Sequence, residues 1–230
     1  MIEIRKSADR GRSRTSWLDS RHTFSFSHYY DPAQLGFGPL RVINEDWIAP
    51  SRGFGAHGHR DMEILTYMLE GTLAHRDGEG NASTMRRGRA QLMHAGRGIV
   101  HSEMNGSSEE AAHLLQIWIE PDRLGLGPGY AELDFALEPG APRTIATPDG
   151  RESGLAIQQD ASVYALQTAA QQSFDYAIEP DRRIWVQVAA GEGLVAGRRV
   201  EAGDGVAVRE EAAVELAGAP DMEVLIFDLP

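Results

Sequence analysis

Two short pairs of donor side chains carry the chemistry of this chain: His57-Gly58-His59 and His101-Ser102-Glu103. Each pair is spaced i, i+2. On a β-strand, side chains two apart point to the same face, so each pair projects two donors one way. Brought together inside one β-barrel, they would offer three imidazoles and a carboxylate. The chain has no cysteine, so no thiolate competes with them. That donor set suits a borderline or hard divalent metal: Fe, Mn, Co, Ni, Cu or Zn. A metal-dependent pocket is the first expectation.

The fourth donor has two candidates. Glu103 follows His101 by two, and Glu63 follows His59 in the pattern His-x-His-x3-Glu. All share odd numbering, so strand parity does not choose between them. Distance favours Glu103. Residues two apart on a strand lie ~7 Å apart and residues four apart ~13 Å, so Glu63 reaches the pair only if the chain bends. Glu63 stays as the alternative ligand or a partner behind the ligands. The remaining histidines read as structural. His75 sits near a turn and is expected to be solvated, His94 has the opposite parity to His101, and His113 precedes a strand. His22 and His28 flank the aromatic stretch Phe24, Phe26, Tyr29 and Tyr30. Phe24 and Phe26 alternate as they would on one face of a strand, where they would pack in the core or line an aromatic pocket.

The elements that must position these groups are short and β-rich. Ile64 to Leu69 ends at Glu70-Gly71, Ala90 to His94 ends at a run containing Gly96 and Gly98, and Leu114 to Ile119 ends at Glu120-Pro121. Short apolar runs punctuated by Gly, Pro and Asp indicate a sandwich or barrel. Helix is expected only in short pieces, for instance near Asp9 to Arg14. The second half repeats the pattern: Ile184 to Ala189 before Gly191, Ala202 to Val208, and Val224 to Pro230 echo the runs before Gly71, after Arg87 and before Pro121. Two copies of one β unit imply two domains, 1–125 and 126–230, with the Gly/Pro-rich segment 123–130 read as the linker. All eight histidines lie at or before His113. Any imidazole-rich site therefore belongs to the first copy.

The chain of 230 residues is long enough for a packed core. It carries 22 Lys+Arg against 34 Asp+Glu, a formal charge of −12. That balance argues against direct nucleic-acid or anionic-membrane binding, which needs excess positive charge. No run approaches the ~20 apolar residues of a membrane span, and the basic N-terminal stretch lacks the apolar core of a signal peptide. A cytoplasmic protein is expected, monomeric rather than oligomeric.

Gly55-Ala56-His57-Gly58-His59-Arg60-Asp61-Met62-Glu63 resembles the first metal motif of the cupin superfamily, and Gly98 to Asn105 resembles the second, with its His-x3-Asn ending. Two positions depart from the general cupin pattern, Ser51 and Gly96, and both look typical of pirins. Thr23-Phe24-Ser25-Phe26, Tyr30-Asp31-Pro32, Leu40 to Asp46, His59 to Glu63, Gly96 to Glu103 and Leu115-Gln116-Ile117-Trp118 are similar to the pirin family, nearest the short bacterial proteins assigned quercetin 2,3-dioxygenase activity. The resemblance implies an all-β bicupin of two cupin-type β-barrel domains. The first would hold one metal ion, Fe(II) foremost, through His57, His59, His101 and Glu103. It also implies a flavonol and O2 as substrates, ring opening with loss of carbon monoxide, and Glu103 as the base for the flavonol 3-hydroxyl. Phe24, Phe26 and Met62 would be walls of the pocket. The rival implication is a regulatory protein that carries a metal and acts on a protein partner.

Overall fold

The computed structural model describes residues 1–169, 172–218 and 222–230. Its regular structure is strand, apart from 3-10 turns at Ser7–Asp9 and Arg151–Ser153. The first strands are β1 (Ile2–Arg5), β2 (Gly11–Arg14), β3 (Leu18–His22), β4 (Leu40–Ile48), β5 (Gly53–His59) and β6 (Glu63–Glu70). Then come β7 (Thr72–Asp77), β8 (Ala82–Arg86), β9 (Arg89–His94), β10 (Ile99–Asn105), β11 (Ala112–Ile119) and β12 (Gly129–Asp134). The rest of the chain adds β13 (Arg143–Thr147), β14 (Leu155–Ala156), β15 (Ser162–Gln167), β16 (Ser173–Ala177) and β17 (Arg183–Ala190). It closes with β18 (Glu192–Val195), β19 (Arg198–Glu201), β20 (Gly205–Arg209), β21 (Ala213–Gly218) and β22 (Glu223–Leu229). The expected helix near Asp9 to Arg14 is therefore a 3-10 turn followed by β2, which pairs with β3.

Two compact units divide these strands, each built from one seven-stranded and one four-stranded sheet. The unit of residues 11–135 and 157–159 has sheets β12-β9-β6-β11-β4-β3-β2 and β5-β10-β7-β8. The other, residues 1–10, 136–156 and 160–230, has sheets β1-β20-β17-β22-β15-β13-β14 and β16-β21-β18-β19. A cut at 125/126 does not describe these units. The chain from Gly129 pairs with β9, so the Gly/Pro-rich stretch leads into a strand of the first unit. The N-terminal β1 hydrogen-bonds to β20 and joins the second.

The internal repeat is real at the level of single turns. Glycine follows β6 at Gly71 (φ 71) and β17 at Gly191 (φ 73), both left-handed positions where a side chain is strained. The central strands β6 and β17 are buried on both faces, so they read as continuous apolar runs and not as alternation. Strand β10 does alternate, with Ile99, His101, Glu103 and Asn105 buried and Val100 and Met104 exposed. That period of two turns its donors inward.

Candidate metal centre

The first histidine pair sits on β5, an edge strand that pairs with β10. Opposite His57 lies His101, but opposite Glu103 lies Phe54. Two steps along β10 thus match three along β5, a bulge that accommodates one extra residue. The bulge resets the parity of β5, so Phe54 faces the same interior as His57 and His59 despite its even number. The strands approach closely at Gly53, where a Cβ would meet the Glu103 carbonyl oxygen at 2.1 Å. A side chain there would push β5 away from the strand that carries His101.

His57, His59 and His101 present one ring nitrogen each, all within 4.8 Å of one another. The His57 Nδ1–H donates to the Gly55 carbonyl at 2.8 Å, which leaves the Nε2 lone pair free. The Nε2 of His101 is buried and has no hydrogen-bond partner among the described residues, an unmet polar atom that a metal would satisfy. Burial, then the neighbouring His57, lowers the His59 pKa to about 4. Burial and the imidazoles of His57, His59 and His75 lower that of His101 to about 3. Both rings are therefore neutral near pH 7, the state that binds a metal. By chemistry and protonation, the three rings fit a divalent ion.

Glu103 is not one of the clustered donors. It lines the same cavity, 2% exposed, with its carboxylate held from the far side. The Gln116 amide donates to Oε1 at 3.1 Å and Oε2 at 2.9 Å, and the Thr66 hydroxyl lies 3.5 Å from Oε1. Burial raises the Glu103 pKa to about 7 against these hydrogen bonds. Glu63 stands elsewhere. Its Oε2 accepts from His94 Nδ1 at 2.5 Å and from the Gln158 backbone N–H at 3.0 Å. The alternative-ligand role for Glu63 is thereby corrected: the chain does not bend it towards His57 and His59, because β6 carries it opposite His94 on β9.

The cavity beside the imidazoles has a volume of about 270 Å³. Phe26, Phe54, Trp118, Leu18 and Ile64 give it an apolar lining. Trp118 stands edge-on to His59, with ring centres 4.9 Å apart. A polar side comes from Ser13, Ser20, His22, Asn44, Asp46 and Gln116. There His22 donates from Nδ1 to Asn44 Oδ1 at 2.7 Å and accepts from Ser13 Oγ at Nε2, 2.8 Å away. Asp46 is 3% exposed and its Oδ1 has no partner among the described residues. Burial, then the charges of Glu103 and Glu45, pushes its pKa up to about 7.

Of the three expected pocket walls, Phe26 lines the cavity. Phe24 is buried away from it, and Met62 packs against Ile64, Met93, Ala95 and Ile99. The alternation argument fails here because residues 23–39 form a loop, with Phe26 in an isolated bridge to Tyr29. His75 is corrected too. It is fully buried, with Nε2 3.1 Å from His101 Nδ1. On β7 it alternates inward with Leu73, while Arg76 is exposed. Asp46 and Gln116 fall within family-like stretches, but only the pairing of β3, β4 and β11 brings them to the cavity.

A family model described as Pirin matches residues 4–119, and one described as quercetinase C-terminal cupin domain matches residues 144–229. The chain is 44% identical, over all of its length and 99% of the relative's, to a protein of Escherichia coli named quercetin 2,3-dioxygenase. It is 36% identical to a pirin-like protein of Caulobacter vibrioides, over 99% of both. Among solved structures it is similar to the bacterial pirin YhhW of Escherichia coli in complex with nickel(II). The TM-score there is 0.96, at 44% identity, covering 100% of this chain and 99% of that one.

Proposed function

The chain belongs to the pirin family, and on that footing we propose that it is a metal-dependent dioxygenase that opens the ring of a flavonol such as quercetin with release of carbon monoxide. The observation that carries this reading is the convergence of three imidazole nitrogens beside an aromatic cavity. Relatives named quercetin 2,3-dioxygenase support the substrate class. A bound divalent ion would supply Lewis acidity towards the flavonol 3-hydroxyl and a place for O2. Fe(II) is the occupant we put first; the same donors accept Mn, Co, Ni, Cu or Zn, and the nickel(II) complex of YhhW supports a first-row ion.

In this reading His57, His59 and His101 hold the ion as neutral donors. Glu103 is the fourth ligand and the base. Gln116 and Thr66 orient its carboxylate, which would complete the donor set of a bound ion and accept the hydroxyl proton. A pKa near neutrality suits a group that must both take and return a proton. Phe26, Phe54 and Trp118 would line the planar ligand and exclude water. Metal-loaded protein given quercetin under oxygen should consume the flavonol absorbance and evolve carbon monoxide. Turnover no faster than free metal, with each of Fe, Mn, Co, Ni and Cu, would overturn the proposal.

A further inference from the structure

His75 reaches the metal centre without facing it. It lies on β7, directly opposite Glu103 on β10. Its Nε2 is 3.1 Å from His101 Nδ1, and its ring stacks on Tyr130, 5.0 Å between centres and 18° from parallel. The Tyr130 hydroxyl is held in turn by Ser83 at 2.6 Å and Gln91 at 3.1 Å. The ring is thus clamped on one face, with one edge against the ligand histidine. Two imidazoles in contact share one hydrogen, which leaves two arrangements. If His75 donates, the remaining His101 hydrogen sits on Nε2, the nitrogen that belongs to the three-histidine cluster, and blocks it. If His101 donates from Nδ1, its Nε2 lone pair is free for a metal and the His75 hydrogen moves to Nδ1. That Nδ1 is buried with no partner among the described residues. A leucine would fill the same space without leaving a polar atom unpaired, so packing alone does not explain an imidazole here. Its distinctive use is the Nε2 lone pair.

We propose that His75 is a positioning residue of the metal centre, which accepts the Nδ1–H of His101 and so fixes the tautomer and ring angle that direct His101 Nε2 to the ion. The proposal rests on the reading of His57, His59 and His101 as ligands. It gives His101 a neutral outer partner where a metal-bound histidine usually has a carboxylate, a carbonyl or water. A neutral acceptor would leave the imidazole a weaker donor than a carboxylate would, and a bound ion the stronger Lewis acid.

The test is the nickel(II) affinity of the full chain, measured by chelator competition, for wild type, His101→Ala, His75→Leu and His75→Gln. Glutamine places an acceptor oxygen near the position of Nε2; leucine fills the volume alone. We expect His75→Leu to lose about 10- to 100-fold in affinity, as outer partners of metal ligands do, and His75→Gln to recover most of that loss. Melting of the metal-free variants separates folding from binding. Leucine binding as tightly as wild type, or glutamine weakened as much as leucine, would overturn the role of His75 alone. Wild type that binds nickel no better than His101→Ala would overturn the ligand reading itself.

Discussion

At the centre of the first unit's large sheet, Thr66 on β6 pairs with Gln116 on β11; at the same place in the second, Val186 on β17 pairs with Ile226 on β22. The substitution continues outward. Asn44 opposite Gln116 corresponds to Tyr164 opposite Ile226, and Asp46 opposite Leu114 to Leu166 opposite Val224. On the small sheets, β5 and β10 bring His57, His59, His101 and Glu103, while the matching β16 and β21 bring Phe174, Tyr176, Val214 and Leu216 to one face. In the second unit Val186, Val214, Leu216, Ile226 and their neighbours form one buried apolar cluster. The first keeps its apolar clusters apart, one around Ile48 and Leu114 and one around Ile64 and Met93. One strand order thus supports two interiors. An apolar set closes on itself, each buried Val, Leu or Ile contributing about 1.5–3 kcal/mol. A polar set stays open only because Thr66, Gln116 and Glu103 satisfy one another's hydrogen bonds.

The comparison breaks most visibly at the ligands. His57→Ala and His101→Ala should emerge without metal by elemental analysis, with flavonol turnover at the free-metal background. They should also lose the metal-dependent rise in stability, which is about 2.7 kcal/mol at a free metal concentration 100 times Kd. Unchanged metal content would mean that the ion sits elsewhere. The second largest effect lies in the other unit. Ile226→Ala should lower unfolding free energy by about 2–5 kcal/mol in denaturant titrations. Gln116→Ala borders an open cavity and should lose less, while impairing turnover through Glu103. The reverse order of stabilities would show that the first interior is packed as tightly as the second.

A smaller effect separates Asp46 from its apolar counterpart Leu166. Its carboxyl has a folded pKa of about 7 against an ordinary 3.8. Between those values the folded state binds the proton and the unfolded state does not, so the Asp46 contribution to stability is complete below about pH 4 and is lost as pH rises to about 7. His59 and His101, with lowered pKa values, act in the opposite direction over part of this range. The signal is therefore the difference between wild type and Asp46→Asn in metal-free protein. The variant should gain on wild type steadily from pH 4 to 7, and a difference that is flat with pH would contradict the burial of this carboxyl.

Much of this was legible in the chain because it is local. The i, i+2 spacing needs only a strand to align its donors, and the glycines after Leu69-Glu70 and Ala189-Ala190 mark equivalent turns. What failed depended on partners far along the chain. Strict alternation along β5 would turn Phe54 away from His57 and His59, and only the bulge set by pairing with β10 brings it to their face. His75 looked solvated because its turn is near in sequence, while β10 and Tyr130, which bury it, are not. Residues 1–10 were counted with the strands that follow them, but β1 finds its partner at Gly205–Arg209. Asp46 lies within a family-like stretch, and nothing around it in sequence says which neighbour faces a cavity.

The smallest effect is expected at Glu63, and it decides between two carboxylates of similar burial, 1% exposed for Glu63 and 2% for Glu103. Glu63→Gln keeps an oxygen for the Gln158 N–H and removes the charge opposite His94. Its stability should fall by about 1 kcal/mol, within the ordinary range for one altered hydrogen bond, and its metal content and flavonol turnover should stay at wild-type values. The same chemical change at Glu103 removes the cavity-wall carboxylate that Gln116 and Thr66 hold in place. Glu103→Gln should stay folded and lose turnover far more than metal, because three neutral imidazoles remain to bind while the base proposed for the hydroxyl proton is gone. If Glu63→Gln lost the metal and Glu103→Gln kept full activity, the first unit would owe its chemistry to the β6–β9 pair, and the contrast with the second unit would have to be redrawn around Arg183 and Arg209, which pair at that place on β17 and β20.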